Sequence, residues 1–425
     1  MYCPFCGSGL HSQNAFCSSC GKDIKFLHDA DKPGTSGGHE TTMVDELIHK
    51  YFTEGHTYEI ILDLLTTKHN ISMSLGTLKR RLQDADLTRR TNYTPIATVR
   101  AAISEEIQGS GKLLGYRAMW QTLKQKYSFT VRRCDVMHLM GELDPLGKEK
   151  RSRRKFVRRS YHSNGPNEVW HVDGYDKLKP FGIAISGCID GFSRKVLWLK
   201  CGKSNNDPRV IAQNYIECVA EFGVCPMRLR TDCGTENGLM AALHCSLRSE
   251  HTDEFAGAKS HMYGTSTSNQ RIESWWSYFR KQRSQFWMDL FSDLRERHLF
   301  NGSYEHTNLL RYCFLDVLQK ELNEYKQQWN THIIRPVRQS RCPSGRPEAM
   351  YFLPNRFNGR NCGFPSSTQV LSQLESLMPA PATPEGDNDQ QTHYEQLQRQ
   401  SGLTPLLQWE SAVETYITLK NMADI

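Results

Sequence analysis

Three short acidic segments constrain this 425-residue chain more than any other feature: WHVDGYD at 170–176, RTDCGTEN at 230–237 and NQRIESWW at 269–276. The first two sit in strand-like runs and the third opens a helix-like one. Trp170 and Val172 alternate before Asp173, which places its carboxylate at the rim of a sheet. Acids gathered at such a rim repel one another and resist ionisation unless a cation lies between them. Hard oxygen donors select Mg²⁺ or Mn²⁺. Two such ions activate the attacking oxygen on one side of a phosphodiester and stabilise the leaving oxygen on the other. Asp173, Asp232 and Glu273 are therefore the candidate catalytic residues and the candidate ligands of two Mg²⁺ or Mn²⁺ ions. Each acid taken alone reads as a surface residue or a helix cap. Asp176 and Glu236 are such bystanders, and Asp176, Asp190 and Glu236 are the substitutes should one of the three fail.

The surrounding pattern, from 160 to about 355, alternates strands and helices. FGIAISGCID and KVLWLKC are β-rich runs joined by a turn at Gly191–Arg194, so they predict an antiparallel pair. DPRVIAQNYIECVAEFG predicts a helix capped by Asp207, with Pro208 in its first turn and Gly223 as its stop. MRLRTD is a short strand, and long helices follow over about 268–297 and 308–329. The result is a layered α/β domain. On the first of those helices Glu273, Ser277 and Arg280 share a face, with Lys281 adjacent, so Arg280 and Lys281 are candidate phosphate contacts. Trp275, Trp276, Phe279 and Trp287 are expected to pack in the core, with base stacking the lesser reading. Strand alternation is expected to turn His171 away from the site.

Taken together, WHVDGYDKLKPFG…CIDGFSR, TDCGTEN and NQRIE resemble the strand-one, strand-four and helix signatures of the retroviral-integrase-type catalytic domain, found also in insertion-sequence and eukaryotic transposases. WNTHIIRPVRQSRCPSGRPEAMYFLP at 329–354 is similar to the segment that trails the triad in those enzymes. The resemblance covers about 160–355. It implies a ribonuclease-H-like fold, with Asp173, Asp232 and Glu273 as the Asp-Asp-Glu triad and Asn269 positioning backbone or DNA. It also implies metal-dependent cleavage of DNA 3′ ends, then attack of the freed 3′-hydroxyl on target DNA. Two departures stand out. Forty residues separate Asp232 from Glu273, a longer gap than retroviral members usually have, and an insertion in the loop 245–265 is expected to absorb it. The retroviral two-His two-Cys site is replaced by four cysteines.

Those cysteines open the chain. CPFCG and CSSCG, ten residues apart, bring Cys3, Cys6, Cys17 and Cys20 together in the spacing of a zinc ribbon over 1–24. One structural Zn²⁺ would hold a segment too short to build a core of its own. The other ten cysteines are scattered singly, and no disulfides are assigned. Residues 25–42 read as a Gly/Ser/Thr-rich linker. Over 43–92 three helices are expected: one through Val44, Leu47, Ile48 and Tyr51, one through Ile60, Ile61, Leu64 and Leu65, and one capped by Ser74 with Leu75, Leu78 and Leu82 buried. With Lys79, Arg80 and Arg81 on the last, they fit a helix-turn-helix or else a plain three-helix bundle. A second helical unit over 93–147 is either a spacer or a DNA-binding module. GYRAMWQTLKQKY resembles the small helical module ahead of the catalytic domain in some insertion-sequence transposases, which implies that Arg132 and Arg133 face DNA. A basic linker, 148–159, carries eight basic residues in twelve. It reads as a nucleic-acid contact or a nuclear-import signal. The tail, 356–425, is expected to be largely disordered, above all the Pro/Gln/Asn-rich 376–402. An apolar patch near 406–419 either packs back or binds a partner.

The net charge of +7 is mild and supports DNA as a partner only through its distribution. No apolar run is long enough to span a bilayer and no signal-peptide pattern follows Met1, so a soluble, intracellular protein without a membrane partner is expected, with the nucleus as its location. Family analogy implies a homo-oligomer, since two DNA ends must meet. The competing reading is a domesticated, catalytically silent DNA-binding regulator.

Overall fold

A computed structural model of the chain describes residues 37–88, 93–145, 161–265, 269–336, 341–366, 368–376, 387–403 and 408–425. The zinc-ribbon cysteines Cys3, Cys6, Cys17 and Cys20 and the basic linker 148–159 lie outside the described residues.

Three helices come first: α1 (Gly37–Thr53), α2 (Tyr58–His69) and α3 (Leu75–Asp84). Gly55, with φ +79°, turns the chain between the first two, and Asn70, left-handed, closes α2. The Ser74 hydroxyl accepts from Thr77 N–H and starts α3. Leu47, Ile61, Leu64, Leu65, Leu78 and Leu82 bury a shared core. Leu75, in the first turn of α3, does not join it and is 38% exposed. α1 already begins inside the stretch read as linker. The next three helices, α4 (Ile96–Gln108), α5 (Tyr116–Gln125) and α6 (Arg133–Leu143), close on Val99, Ile103, Met119, Leu123 and Val136.

The central domain follows, in order: β1 (Val169–Tyr175), β2 (Ala184–Asp190), β3 (Val196–Gly202), α7 (Pro208–Phe222), β4 (Val224–Cys225), β5 (Arg228–Thr231), α8 (Gly238–Leu247), β6 (His261–Tyr263), α9 (Gln270–Phe279), a π-helical turn (Arg280–Ser284), α10 (Gln285–Glu296) and α11 (Tyr304–Thr331). Its five-stranded sheet runs β3-β2-β1-β5-β6. β3, β2 and β1 are antiparallel, while β1, β5 and β6 are parallel. This mixed sheet among helices is consistent with the ribonuclease-H-like core that the resemblance implies. α7 is built as its ends predict, with Asp207 accepting from Arg209 N–H and Gly223 left-handed at φ 64°. β1 distributes its side chains by alternation. Trp170 and Val172 pack with Ile211 and Tyr215 of α7, whereas Tyr175 joins Trp276, Phe279 and Phe314 on the opposite face. Each fully buried large apolar side chain contributes roughly 1.5–3 kcal/mol.

The region 245–265 is more than an inserted loop. It carries the Arg248–Asp253 ion pair at 2.5 Å and the edge strand β6, whose His261 pairs with Leu229. Beyond the sheet domain come α12 (Pro347–Phe352), β7 (Phe364–Pro365), α13 (Thr368–Ser376), α14 (Asp387–Ser401) and α15 (Trp409–Met422). The described parts of the tail, 387–403 and 408–425, are helical, whereas the composition predicts disorder there. Tyr394, Ala412, Tyr416 and Leu419 bury themselves against α11 and its neighbours, and this packing holds a sequence too polar to order itself. Among the described residues no helix is long and apolar enough to cross a membrane, and the ten described cysteines are thiols.

Candidate active site

The site is built where β5 stops and β1 continues. Val169, Trp170 and His171 lie opposite Arg228, Leu229 and Arg230. The same offset carried two residues further puts Asp173 level with Asp232, the residue after β5. On its other side Asp173 pairs with Gly187 of β2. A Cβ at Gly187 would come within 2.8 Å of Cη2 of Trp276. Its absence lets the indole lie across β2 and donate from Nε1 to Oδ2 of Asp173 at 2.9 Å.

Glu273 arrives on the first turn of α9. Asn269, immediately before the helix, donates from Nδ2 to the Val172 carbonyl at 2.8 Å, and its own carbonyl accepts Glu273 N–H at 3.2 Å. The helix start is thereby tied to the strand that bears Asp173, so Asn269 acts on backbone. Asp232 is held by the loop that follows it: its Oδ1 accepts from Asn237 Nδ2 at 2.8 Å and from Gly234 N–H at 3.2 Å.

The three carboxylates are near enough to disturb one another. Burial, then the charges of Glu273 and Asp232, push Asp173 up from its ordinary 3.8 to about 7, against the opposing pull of the Trp276 N–H. Burial and Asp232 raise Glu273 as well. Such a set of hard oxygen donors suits Mg²⁺ or Mn²⁺. Among the described residues no three His, Cys, Asp or Glu side chains form a ready-made metal shell.

Of the substitute acids, Glu236 stays beside the site, accepting at 3.5 Å from the same Asn237 amide that holds Asp232, and the other two serve elsewhere. Asp190 pairs with Trp170, at the other end of β1, and is fully buried. It accepts from Asn167 N–H at 2.7 Å, Ser193 N–H at 2.8 Å and the Ser193 hydroxyl at 2.6 Å, which fixes the β2–β3 turn. Asp176 accepts from Lys179 and Asn205, both at 2.9 Å. His171 corrects its expectation: residues two apart on a strand point the same way, and it shares the face of Asp173. It is 1% exposed, between Tyr161 and Asn269.

Of the basic candidates, Arg280 and Lys281 are exposed on the π-helical turn at the end of α9, and Arg280 donates to Gln285 at 3.4 Å. Lys79 and Arg80 are exposed on α3, whereas Arg81 is paired with Asp45 at 2.7 Å. Arg132 and Arg133 are exposed at the start of α6, lying 4.5 Å over the Tyr93 ring and 4.9 Å over the Trp120 ring. The sequence reading missed Asn237 as the holder of Asp232 and Trp276 as the partner of Asp173. The first stands inside TDCGTEN, where only the acids were read. The second sits three residues after Glu273, a helical spacing that puts both on one face.

Residues 160–346 match a family described as Integrase core domain. No curated protein matches the chain. The sheet order, the acids at its rim and this match agree, and residues 160–346 belong to the integrase/transposase catalytic-core family.

Proposed function

We propose that this protein is a DNA strand transferase of the integrase/transposase type, cutting DNA 3′ ends and joining them to target DNA, with Asp173, Asp232 and Glu273 as its catalytic triad. The observation that carries the reading is the convergence of these acids at the ends of β1 and β5 and on the helix start tied to β1, where burial and the pressure of neighbouring charges raise Asp173 and Glu273. Such pressure is costly to maintain in a purely structural cluster. Divalent ions bound by the triad supply activation of the attacking oxygen and stabilisation of the leaving one. The chain's own residues hold the ligands ready: Trp276 orients Asp173, Asn237 and Gly234 orient Asp232, and Asn269 anchors the turn bearing Glu273. Arg280 and Lys281, two turns further on, are suited to DNA phosphates.

The test is cleavage of labelled duplex DNA with Mg²⁺ or Mn²⁺. Asp173→Asn and Glu273→Gln are expected to reduce it to background with DNA affinity retained. Full activity in either variant overturns the triad, and a wild-type protein that binds DNA without ever cutting it leaves the regulator reading. The N-terminal Cys3, Cys6, Cys17 and Cys20 complete the proposal as a structural zinc site. Elemental analysis of the purified chain is expected to find one zinc, lost when these cysteines become serines; a metal-free chain removes that assignment.

A further inference from the structure

Next to the triad lies a buried relay that the chemistry above does not use. His171 is enclosed on β1, two residues before Asp173 and on the same face. Its Nδ1 is 2.8 Å from Oδ1 of Asn269 and its Nε2 is 2.9 Å from the Tyr161 hydroxyl. The Asn269 amide is oriented by its other bond. Nδ2 donates to the Val172 carbonyl, so Oδ1 must be the atom facing His171. An acceptor opposite Nδ1 requires the proton to sit there, and Nε2 then accepts from the Tyr161 O–H. Tyr161 is gripped in turn by the first turn of α9, whose Arg271 guanidinium lies 3.9 Å from the Tyr161 ring centre. The helix start is therefore attached to β1 twice, once through Asn269 and once through Arg271 and Tyr161, with His171 joining both attachments.

We infer that His171 is a positioning residue, acting through Asn269 to fix the first turn of α9 and so the direction in which Glu273 presents its carboxylate. The consequence for chemistry rests on the proposed function; the consequence for the helix does not. A misplacement of about 1 Å in a catalytic group can cost on the order of a hundredfold in rate, so a modest loosening of this turn is enough to matter.

Two amide substitutions separate the relay from simple packing. In His171→Asn the amide nitrogen falls near Nδ1 and keeps a donor toward Asn269. In His171→Gln the amide falls near Nε2, keeping the Tyr161 side and losing that donor. Hydrogen exchange of the metal-free, DNA-free protein is expected to show the Glu273 amide region about tenfold less protected in His171→Gln than in His171→Asn, with melting temperatures alike. In Mn²⁺-supported cleavage His171→Gln is expected to lose about tenfold or more in kcat with KM for DNA unchanged, and His171→Asn to stay close to wild type. Equal protection and equal kcat in the two variants would overturn the inference. Active Asp173→Asn or Glu273→Gln enzymes would instead overturn the triad while leaving the exchange result standing.

Discussion

This protein buries charge in two places, on opposite terms. At the first, Glu348 of α12 receives Lys68 of α2 at 2.8 Å and Lys195 from the turn before β3. Burial raises the Glu348 carboxyl, but Lys195 and Lys68 outweigh it and hold the group well below the ordinary carboxylate range. Burial depresses Lys68 too, and Glu348 more than restores it. The cluster carries its own counter-ions, although burial still leaves Lys195 below its ordinary range despite Glu348, and it ties the N-terminal helices to the sheet domain. At the second, Asp173, Asp232 and Glu273 press on one another, and Asp173 and Glu273 are pushed toward their neutral forms. A cluster serving the fold is neutralised from within. The acids at the sheet's rim lack that compensation from one another, and the two most affected are pushed toward protonation.

The contrast can be broken first at Glu348. Removing the shared partner strands two buried ammonium groups, so Glu348→Ala is expected to lower unfolding free energy by about 3–5 kcal/mol in urea titration. A loss below about 1 kcal/mol would mean that the lysines find other partners and that the cluster is not self-contained. The triad should respond in the opposite sense. Because folding raises the Asp173 pKa from 3.8 to about 7, the folded state holds its proton more tightly than the unfolded one. That contribution is complete below pH 4 and is lost as pH climbs through 7. Asp173→Asn should therefore raise the metal-free melting temperature by roughly 2–4 °C at pH 8 and leave it unchanged near pH 4. Mg²⁺ should stabilise the wild type more than the variant. A variant less stable than wild type at pH 8 would show that this carboxylate supports the fold.

What could be read in advance follows the same division between local and distant causes. The capped helix α7, the β2–β3 pair and the three acids carry their signals in adjacent residues: Asp207, Pro208 and Gly223 for the helix, alternation and a turn for the strands. β6 is only three residues long and exists because β5 offers it an edge, which no local pattern announces. α14 presents Tyr394 as its one buried hydrophobic amid glutamines, and its order comes from α11 and α15 rather than from its own composition. The partner of Asp173 was legible only as an aromatic. That Trp276 reaches the carboxylate depends on Gly187, almost ninety residues away in the chain and directly across the sheet. Arg81 looked free for DNA because its partner, Asp45, lies two helices earlier.

The π-helical turn at Arg280–Ser284 has a consequence for how relatives of this chain will align. Phe279 and Phe291 both enter the same core, though twelve positions apart. In an uninterrupted α-helix that interval would set them about 120° out of phase, and the wide turn absorbs about one residue's rotation, roughly 100°. A homologue with a plain helix would need one residue fewer in this window to keep both rings inside. Gaps of a single position between 280 and 284 are thus the expected mark of members that lack the bulge, and those members would point the basic side chains of this window in a different direction.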